Sequence, residues 1–183
     1  ATVTAQPTRH LFDSMDTLAL LQRIDPATVP GSGRLYAGAA ALFAFAGLSF
    51  DVSRRLAAKA RALGMRVLVA ERKGRAPRPG RLPFAEVLRQ ADVVSVHCPL
   101  SDATRNLLGR EQLRSMKPTA LLINTARGSI VDEQALADSL RAGEIAGAGV
   151  DTLSVEPPPP DHPLLAADIP NLLLTPHNAW ASG

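Results

Sequence analysis

Three residues of the sequence have the side chains needed to hold a small anion and pass a proton to it: Arg127, Glu156 and His177. A guanidinium offers a planar fork of donors that matches a carboxylate, or a ketone beside a carboxylate, in a way that a lysine cannot. A histidine paired with a carboxylate keeps a defined tautomer and tends to have a raised pKa, which suits a proton donor to a carbonyl oxygen. The set predicts that the arginine binds and polarises a substrate, the histidine passes the proton, and the glutamate orients the histidine.

Two of these residues also have an ordinary structural interpretation. Arg127 could cap a strand end through surface carbonyls, and Glu156 could be a solvated loop carboxylate. His177 fits a core position poorly, because it lies in a Pro-His-Asn turn. Prolines at 157–160 follow the glutamate and Pro176 precedes the histidine, so both loops should be stiff enough to hold a side chain in one pose.

The chain around these residues alternates between short apolar runs and segments with helical spacing. Strands are predicted at 39–47, 66–70, 92–97, 120–123, 146–150 and 171–174, and helices at 51–63, 84–90, 111–116 and 133–142. This alternation predicts an α/β fold, a doubly wound, Rossmann-like parallel sheet in a single domain with right-handed crossovers. The carboxyl ends of parallel strands share one edge, so Arg127, Glu156 and His177 can converge there.

The first 38 residues form a less regular segment. Apolar residues at helical spacing predict a helix over 11–24, and prolines and glycines predict a linker over 25–33. Residues 39–183 are assigned to the sheet domain.

Composition excludes several kinds of partner. The net charge of +3 comes from arginines that are scattered along the chain, so no basic stripe for nucleic acid is formed. The longest apolar stretch, 36–50, is too short to span a membrane, and no signal peptide is visible. Cys98 is the single cysteine, which rules out an internal disulfide and favours the cytoplasm. We predict a packed thiol there, since the neighbouring His97 should point to the opposite face of the strand. No metal site is predicted.

Three long stretches resemble a known family: LGMRVLVAER, ADVVSVHCPLSDATRNLLGREQLRSMKPTALLINTARGSIVDEQALADSLRAGEIAGAGVDTLSVEPPPPDHPLL and NLLLTPHNAWAS. They resemble the coenzyme-binding domain of the D-isomer-specific 2-hydroxyacid dehydrogenases, in particular the glycerate dehydrogenase or hydroxypyruvate reductase branch. The resemblance implies hydride transfer between NAD(P)H and a small 2-oxo acid. It also implies that Arg127, Glu156 and His177 match the family's catalytic residues.

The same resemblance assigns part of the cofactor site. It implies that Asp151 holds the nicotinamide carboxamide, and that Cys98, Pro99, Thr125 and Ala126 line the nucleotide groove. Family members dimerise through a helix and an arm that fall in the unmatched part of this chain. A homodimer is therefore one of the two alternatives that the resemblance leaves, the other being a monomer.

The choice between NAD and NADP depends on Glu71, which ends the second predicted strand. A carboxylate there accepts hydrogen bonds from a ribose diol and repels a 2′-phosphate, so it favours NAD. Arg72 and Lys73 follow directly and either could reach a phosphate, although a surface role is the simpler interpretation. NAD is therefore predicted and NADP stays open.

The sequence departs from the family in the glycine fingerprint that brings backbone close to the pyrophosphate. Counting back from Gly64, the three glycine positions fall on Leu48, Phe50 and Ser53, and only Gly47 is nearby. We therefore expect weakened cofactor contact.

The sequence also leaves little room for the substrate domain that family members carry. About 38 residues precede the first predicted strand and six follow His177, so a separate substrate domain is not expected. The second functional hypothesis is therefore a non-catalytic nucleotide-binding or interaction module that keeps the fold.

Overall fold

Six parallel strands form one sheet in the computed structural model, which describes residues 40–44 and 50–178. The strands are β1 (Ala40–Ala44), β2 (Arg66–Ala70), β3 (Val93–Val96), β4 (Leu121–Asn124), β5 (Gly147–Val150) and β6 (Leu172–Leu174). Their order is β2-β1-β3-β4-β5-β6, and every neighbouring pair is parallel. The order runs outward in both directions from β1 and β3, which places the topological switch point between these two strands.

Four α-helices in the described part of the chain connect these strands: α1 (Phe50–Ala62), α2 (Phe84–Gln90), α3 (Arg110–Arg114) and α4 (Glu133–Arg141). The start of α4 is set by Asp132, whose carboxylate accepts a hydrogen bond from the amide of Ala135 at 3.0 Å. The end of α1 is set by Gly64, which takes the left-handed conformation at φ +80° that stops a helix at low cost. Local sequence signals thus determine where these helices begin and end.

The central strand β4 is buried on both faces. Leu122 packs into the larger core cluster with Val87, Leu113 and Leu136, which come from the connecting helices. Ile123 lies on the opposite face in a second cluster with Val93. Burial of each such side chain contributes about 1.5–3 kcal/mol. A strand apolar on both faces therefore stays in the middle of the sheet.

The predicted elements are confirmed, with small shifts at their ends. The strand at 66–70 and the helix at 84–90 match residue for residue. The strand predicted at 92–97 is shorter, Val93–Val96, and the helix predicted at 111–116 is Arg110–Arg114. Of the first predicted strand, 39–47, the structure describes Ala40–Ala44. The predicted helix at 11–24 and the linker at 25–33 lie outside the described residues.

The residues that follow β3 are buried. The Cys98 side chain is 4% exposed, and burial raises the pKa of its thiol to about 11, so it is a packed thiol as predicted. His97 is 8% exposed and its Nε2 lies 2.8 Å from the Ser95 hydroxyl. Burial lowers the pKa of His97 from 6.5 to about 4, because the charged imidazole loses its hydration.

A pH dependence of stability follows from the buried His97. The folded state binds a proton at this site less readily than the unfolded state, so protonation favours unfolding. The free energy of unfolding should fall as the pH drops from about 6.5 toward about 4, by up to about 3 kcal/mol from this residue. Urea unfolding across this pH range would measure the loss, which should be smaller in His97→Gln. An equal loss in the two proteins would contradict the assignment.

Candidate active site

The carboxyl ends of β1 to β6 lie on one edge of the sheet, which we call the carboxyl edge. Arg127 follows β4, Asp151 directly follows β5, and His177 lies three residues after β6. Glu156 belongs to the loop that leaves β5. The fold therefore brings the predicted polar residues to the edge where α/β sheets bind their ligands.

Arg127 stands on a turn that is built by Asn124. The Asn124 side chain is 1% exposed; its Nδ2 donates to the Arg127 carbonyl at 3.0 Å and its Oδ1 accepts from the Ala126 amide at 3.1 Å. Arg127 itself is exposed, and its Nη1 donates to the Ala126 carbonyl at 2.6 Å. Asn124 was not among the predicted site residues, although a polar residue that ends an apolar run was the available signal.

His177 and Glu156 form a direct pair. His177 Nδ1 lies 2.7 Å from Glu156 Oε2, and the other oxygen of Glu156 accepts from the Leu153 amide at 2.8 Å. The pKa of Glu156 is lowered, first by the hydrogen bond from His177, then by the Leu153 amide, with a smaller contribution from the charge of Arg127. Both predicted partners thus lower the pKa of this carboxylate, so Glu156 stays ionised in mildly acidic solution.

Asp151 shapes the turn that carries His177. Asp151 is 3% exposed, and its Oδ1 accepts from the Thr175 hydroxyl and, at 3.1 Å, from the Asn178 amide. His177 has a φ of +52°, a conformation that costs a non-glycine residue about 1–3 kcal/mol. Hydrogen bonds on both sides of His177 offset that cost. Asp151, the residue predicted to hold the nicotinamide carboxamide, therefore also has a structural function.

Glu71 is engaged by an arginine that was not among the predicted site residues. Arg78 donates from Nε to Oε2 at 2.7 Å and from Nη2 to Oε1 at 2.8 Å, and the Arg72 amide donates to Oε1 at 2.9 Å. The fork of Arg78, followed by the Arg72 amide, lowers the pKa of Glu71 from 4.5 to about 2. A ribose diol would have to compete with Arg78, whose side chain is 60% exposed. The ribose contact of Glu71 remains a prediction.

Several described residues lie beside the switch point, where a dinucleotide would bind. The amino end of α1 lies at the carboxyl edge, where helix amides and the helix dipole favour a pyrophosphate. Pro99 is exposed after β3, and Thr125 and Ala126 are half-buried after β4, so these residues can line a groove. Cys98 is buried and contributes little surface. Of the three fingerprint positions, Phe50 begins α1, Ser53 is buried in its first turn, and Leu48 lies outside the described residues, as does the nearby Gly47.

A separate cavity of about 430 Å³ opens near the amino end of α4. Its lining includes Arg105, Asp132, Glu133 and His162. None of the three predicted catalytic residues lines it, so we do not assign the substrate to this cavity. Among the described residues, no group of three or more metal-binding side chains comes together, and no helix is long and apolar enough to cross a membrane.

The chain is similar to known proteins over most of its length. Residues 47–179 match the family model described as D-isomer specific 2-hydroxyacid dehydrogenase, NAD binding domain. Glycerate dehydrogenase of Methylorubrum extorquens is 47% identical over 131 residues, which cover 72% of this chain and 41% of that protein. Glyoxylate reductase of Korarchaeum cryptofilum is 43% identical, with 72% of this chain and 40% of that protein covered. The chain thus spans about 40% of the length of these curated relatives.

A solved structure shows the same similarity in three dimensions. The NAD-complexed D-isomer specific 2-hydroxyacid dehydrogenase of Lactobacillus delbrueckii ssp. bulgaricus superimposes with a TM-score of 0.66 at 34% identity, covering 77% of this chain and 46% of that chain. This similarity confirms the doubly wound fold.

Proposed function

The chain belongs to the D-isomer specific 2-hydroxyacid dehydrogenase family, through its NAD binding domain, and from this premise we propose that it interconverts a small 2-oxo acid and the corresponding 2-hydroxy acid with NAD as cofactor. The observation that carries the proposal is the 2.7 Å contact between His177 Nδ1 and Glu156 Oε2 at the carboxyl edge. A hydrogen-bonded imidazole and carboxylate on the same sheet edge as an exposed arginine are the groups that reduction of a 2-oxo acid requires.

NAD, when bound, supplies or accepts the hydride. We propose that Asp151 holds its carboxamide and that the groove is lined by Pro99, Thr125 and Ala126, with a minor share from the buried Cys98. Glu71 would meet the ribose after Arg78 moves away. NADP stays open as an alternative, since Arg72 and Lys73 are both exposed beside Glu71.

Arg127 is proposed to bind the substrate. Its guanidinium can donate two parallel hydrogen bonds to the carboxylate and the ketone oxygen of a 2-oxo acid. Those bonds would fix the orientation of the acid and draw electron density toward the ketone oxygen. The buried Asn124 keeps the backbone of Arg127 in place for this role.

His177 is proposed to transfer the proton. With Nδ1 directed at Glu156, the protonated ring donates from Nε2 to the carbonyl oxygen during reduction and takes a proton back during oxidation. The Glu156 carboxylate stabilises the protonated ring and holds its orientation. The lowered pKa of Glu156 keeps that carboxylate charged while the histidine changes its protonation.

A non-catalytic nucleotide-binding module is the second candidate. Two observations favour it: the fingerprint positions that fall on Phe50 and Ser53 carry side chains, and the Glu71 carboxylate is already engaged by Arg78. Both features would weaken cofactor binding. The predicted cytoplasmic location and the homodimer stay predictions under either candidate.

Fluorescence titration with NADH, followed by NADH oxidation assays with glyoxylate and hydroxypyruvate, distinguishes the candidates. We expect saturable NADH binding and oxidation of NADH that depends on the 2-oxo acid. Binding without oxidation would favour the non-catalytic module. No binding at millimolar NADH would contradict both.

A further inference from the structure

The peptide that joins Leu153 to Ser154 lies between the two halves of the proposed site. On one side it packs directly against Gly128, next to Arg127: a Cβ added to Gly128 would come closer than 3.0 Å to the Leu153 carbonyl group and the Ser154 nitrogen. On the other side, the Leu153 amide donates to Glu156 at 2.8 Å. This peptide therefore contacts the residue next to Arg127 on one side and the carboxylate partner of His177 on the other.

Glu133, the first residue of α4, holds this peptide. Its Oε1 accepts from the Ser154 amide at 2.7 Å, and its Oε2 accepts from the Ser154 hydroxyl. The same Oε2 lies 3.0 Å from Nε2 of His162. The Glu133 side chain is 11% exposed and that of His162 is 6% exposed, so the hydrogen bond between them is largely shielded from water, whereas Ser154 is exposed. One carboxylate thus anchors the loop at two places, residue 154 and residue 162.

The tautomer of His162 follows from its second contact. The Leu164 amide donates to His162 Nδ1 at 3.3 Å, so Nδ1 is the acceptor nitrogen. The ring proton must then be on Nε2, from which it is donated to Glu133. The histidine is therefore a fixed donor that keeps the Glu133 carboxylate turned toward Ser154.

We infer that Glu133 is a positioning residue for the reaction, acting through the Leu153–Ser154 peptide to hold Glu156 and His177 at the correct distance from Arg127. This inference rests on the proposed function. A displacement of about 1 Å can cost on the order of 100-fold in rate when the reacting groups must be aligned. Glu133 is distant in sequence from Glu156, and its carboxylate accepts hydrogen bonds from Ser154 and from His162. Its effect is transmitted by the backbone.

The variant Glu133→Gln tests this. The amide keeps the size of the side chain, but it replaces one acceptor oxygen by an NH2 group, which then faces either the donor amide of Ser154 or the donor Nε2 of His162. We expect kcat for 2-oxo acid reduction to fall about 10- to 100-fold, while the dissociation constant for NADH changes less than about twofold. The imidazole NMR signals of His177 should shift, because its carboxylate partner moves.

Glu144→Gln is the matched control. Glu144 lies three residues after the end of α4. Its carboxylate accepts hydrogen bonds from Arg114 Nε at 2.8 Å and from the Ser139 hydroxyl at 2.8 Å. It lies just before β5, at the edge of the sheet opposite the carboxyl edge. This variant should lose stability in urea unfolding without changing kcat or the signals of His177.

The outcomes separate the inference from the proposed function. If the wild-type protein oxidises no NADH with any 2-oxo acid, the proposed function fails, and the His177 signals of Glu133→Gln alone decide the positioning role. Unchanged kcat and unchanged His177 signals in Glu133→Gln would overturn the inference, as would equal losses of kcat in Glu133→Gln and Glu144→Gln. If Glu133→Gln does not fold, Ser154→Ala removes only the hydroxyl bond and should give a smaller change in the same direction. If Ser154→Ala changed neither kcat nor the His177 signals, the inference would also be overturned.

Discussion

Replacement of Gly128 by alanine is expected to lower the free energy of unfolding by about 3 kcal/mol or more. The added Cβ would come within 3.0 Å of three atoms of the Leu153–Ser154 peptide. Those atoms are backbone and cannot rotate away as a long side chain can. Hydrogen bonds to Glu156 and Glu133 also hold the peptide in place. Urea unfolding monitored by circular dichroism would measure the loss.

Gly109→Ala provides the matched control. Gly109 has an extended backbone, with φ −96° and ψ −171°, which alanine adopts without strain. A Cβ there would meet Gln112 Oε1 at 3.6 Å and the Asn106 carbonyl at 3.7 Å, which is ordinary contact. We expect its free energy of unfolding to stay within about 1 kcal/mol of the wild type. The close approach at Gly128 would be contradicted if the two variants were equally stable.

Arg127→Lys is expected to lower kcat/KM for 2-oxo acid reduction by at least about 100-fold. Lysine keeps the positive charge but presents it as a compact ammonium, so it cannot donate two parallel hydrogen bonds to the carboxylate and ketone oxygens. The fold should tolerate the change, because the side chain is exposed and Asn124 holds the turn through backbone atoms. Steady-state kinetics with glyoxylate or hydroxypyruvate, together with NADH titration, would separate lost turnover from lost cofactor binding.

Arg89→Lys serves as the comparison for Arg127→Lys. Arg89 is exposed in the last turn of α2, which leads to the amino end of β3, away from the carboxyl edge. Its kcat/KM should match that of the wild type. Activity of Arg127→Lys within about twofold of the wild type would exclude the guanidinium from substrate binding, because a lost bidentate contact has a much larger effect.

The predicted secondary structure agrees with the structure because its signals are local. The apolar run before Asn124 specifies a strand buried on both faces, and helical spacing with Gly64 at its end specifies α1. The ends of β3 to β6 differ from the predicted ends by at most one residue, for the most part because hydrogen bonding to a neighbouring strand stops earlier than the apolar pattern. His97 shows this: it continues the pattern of β3 but lies beyond the last paired residue, Val96.

Several contributors to the site were not predicted, and two of them depend on how loops fold back onto the rest of the chain. Arg78 reaches Glu71 over a proline-rich loop, and Glu133 holds Ser154 from 21 positions away. Neither contact has a periodic pattern or a motif of its own. Only packing of the loops against the sheet edge brings these partners within hydrogen-bond distance.

By itself, the sequence determined the parallel sheet, the residues at its strand ends and the family to which they point, because periodicity and turn chemistry act between near neighbours. Only the tertiary structure decided that His177 meets Glu156 at 2.7 Å, that Asp151 holds the histidine turn, and that Gly128 lets the Leu153–Ser154 peptide approach. Such contacts join residues more than 20 positions apart, so they depend on how crossover loops pack along a shared edge and not on any local pattern.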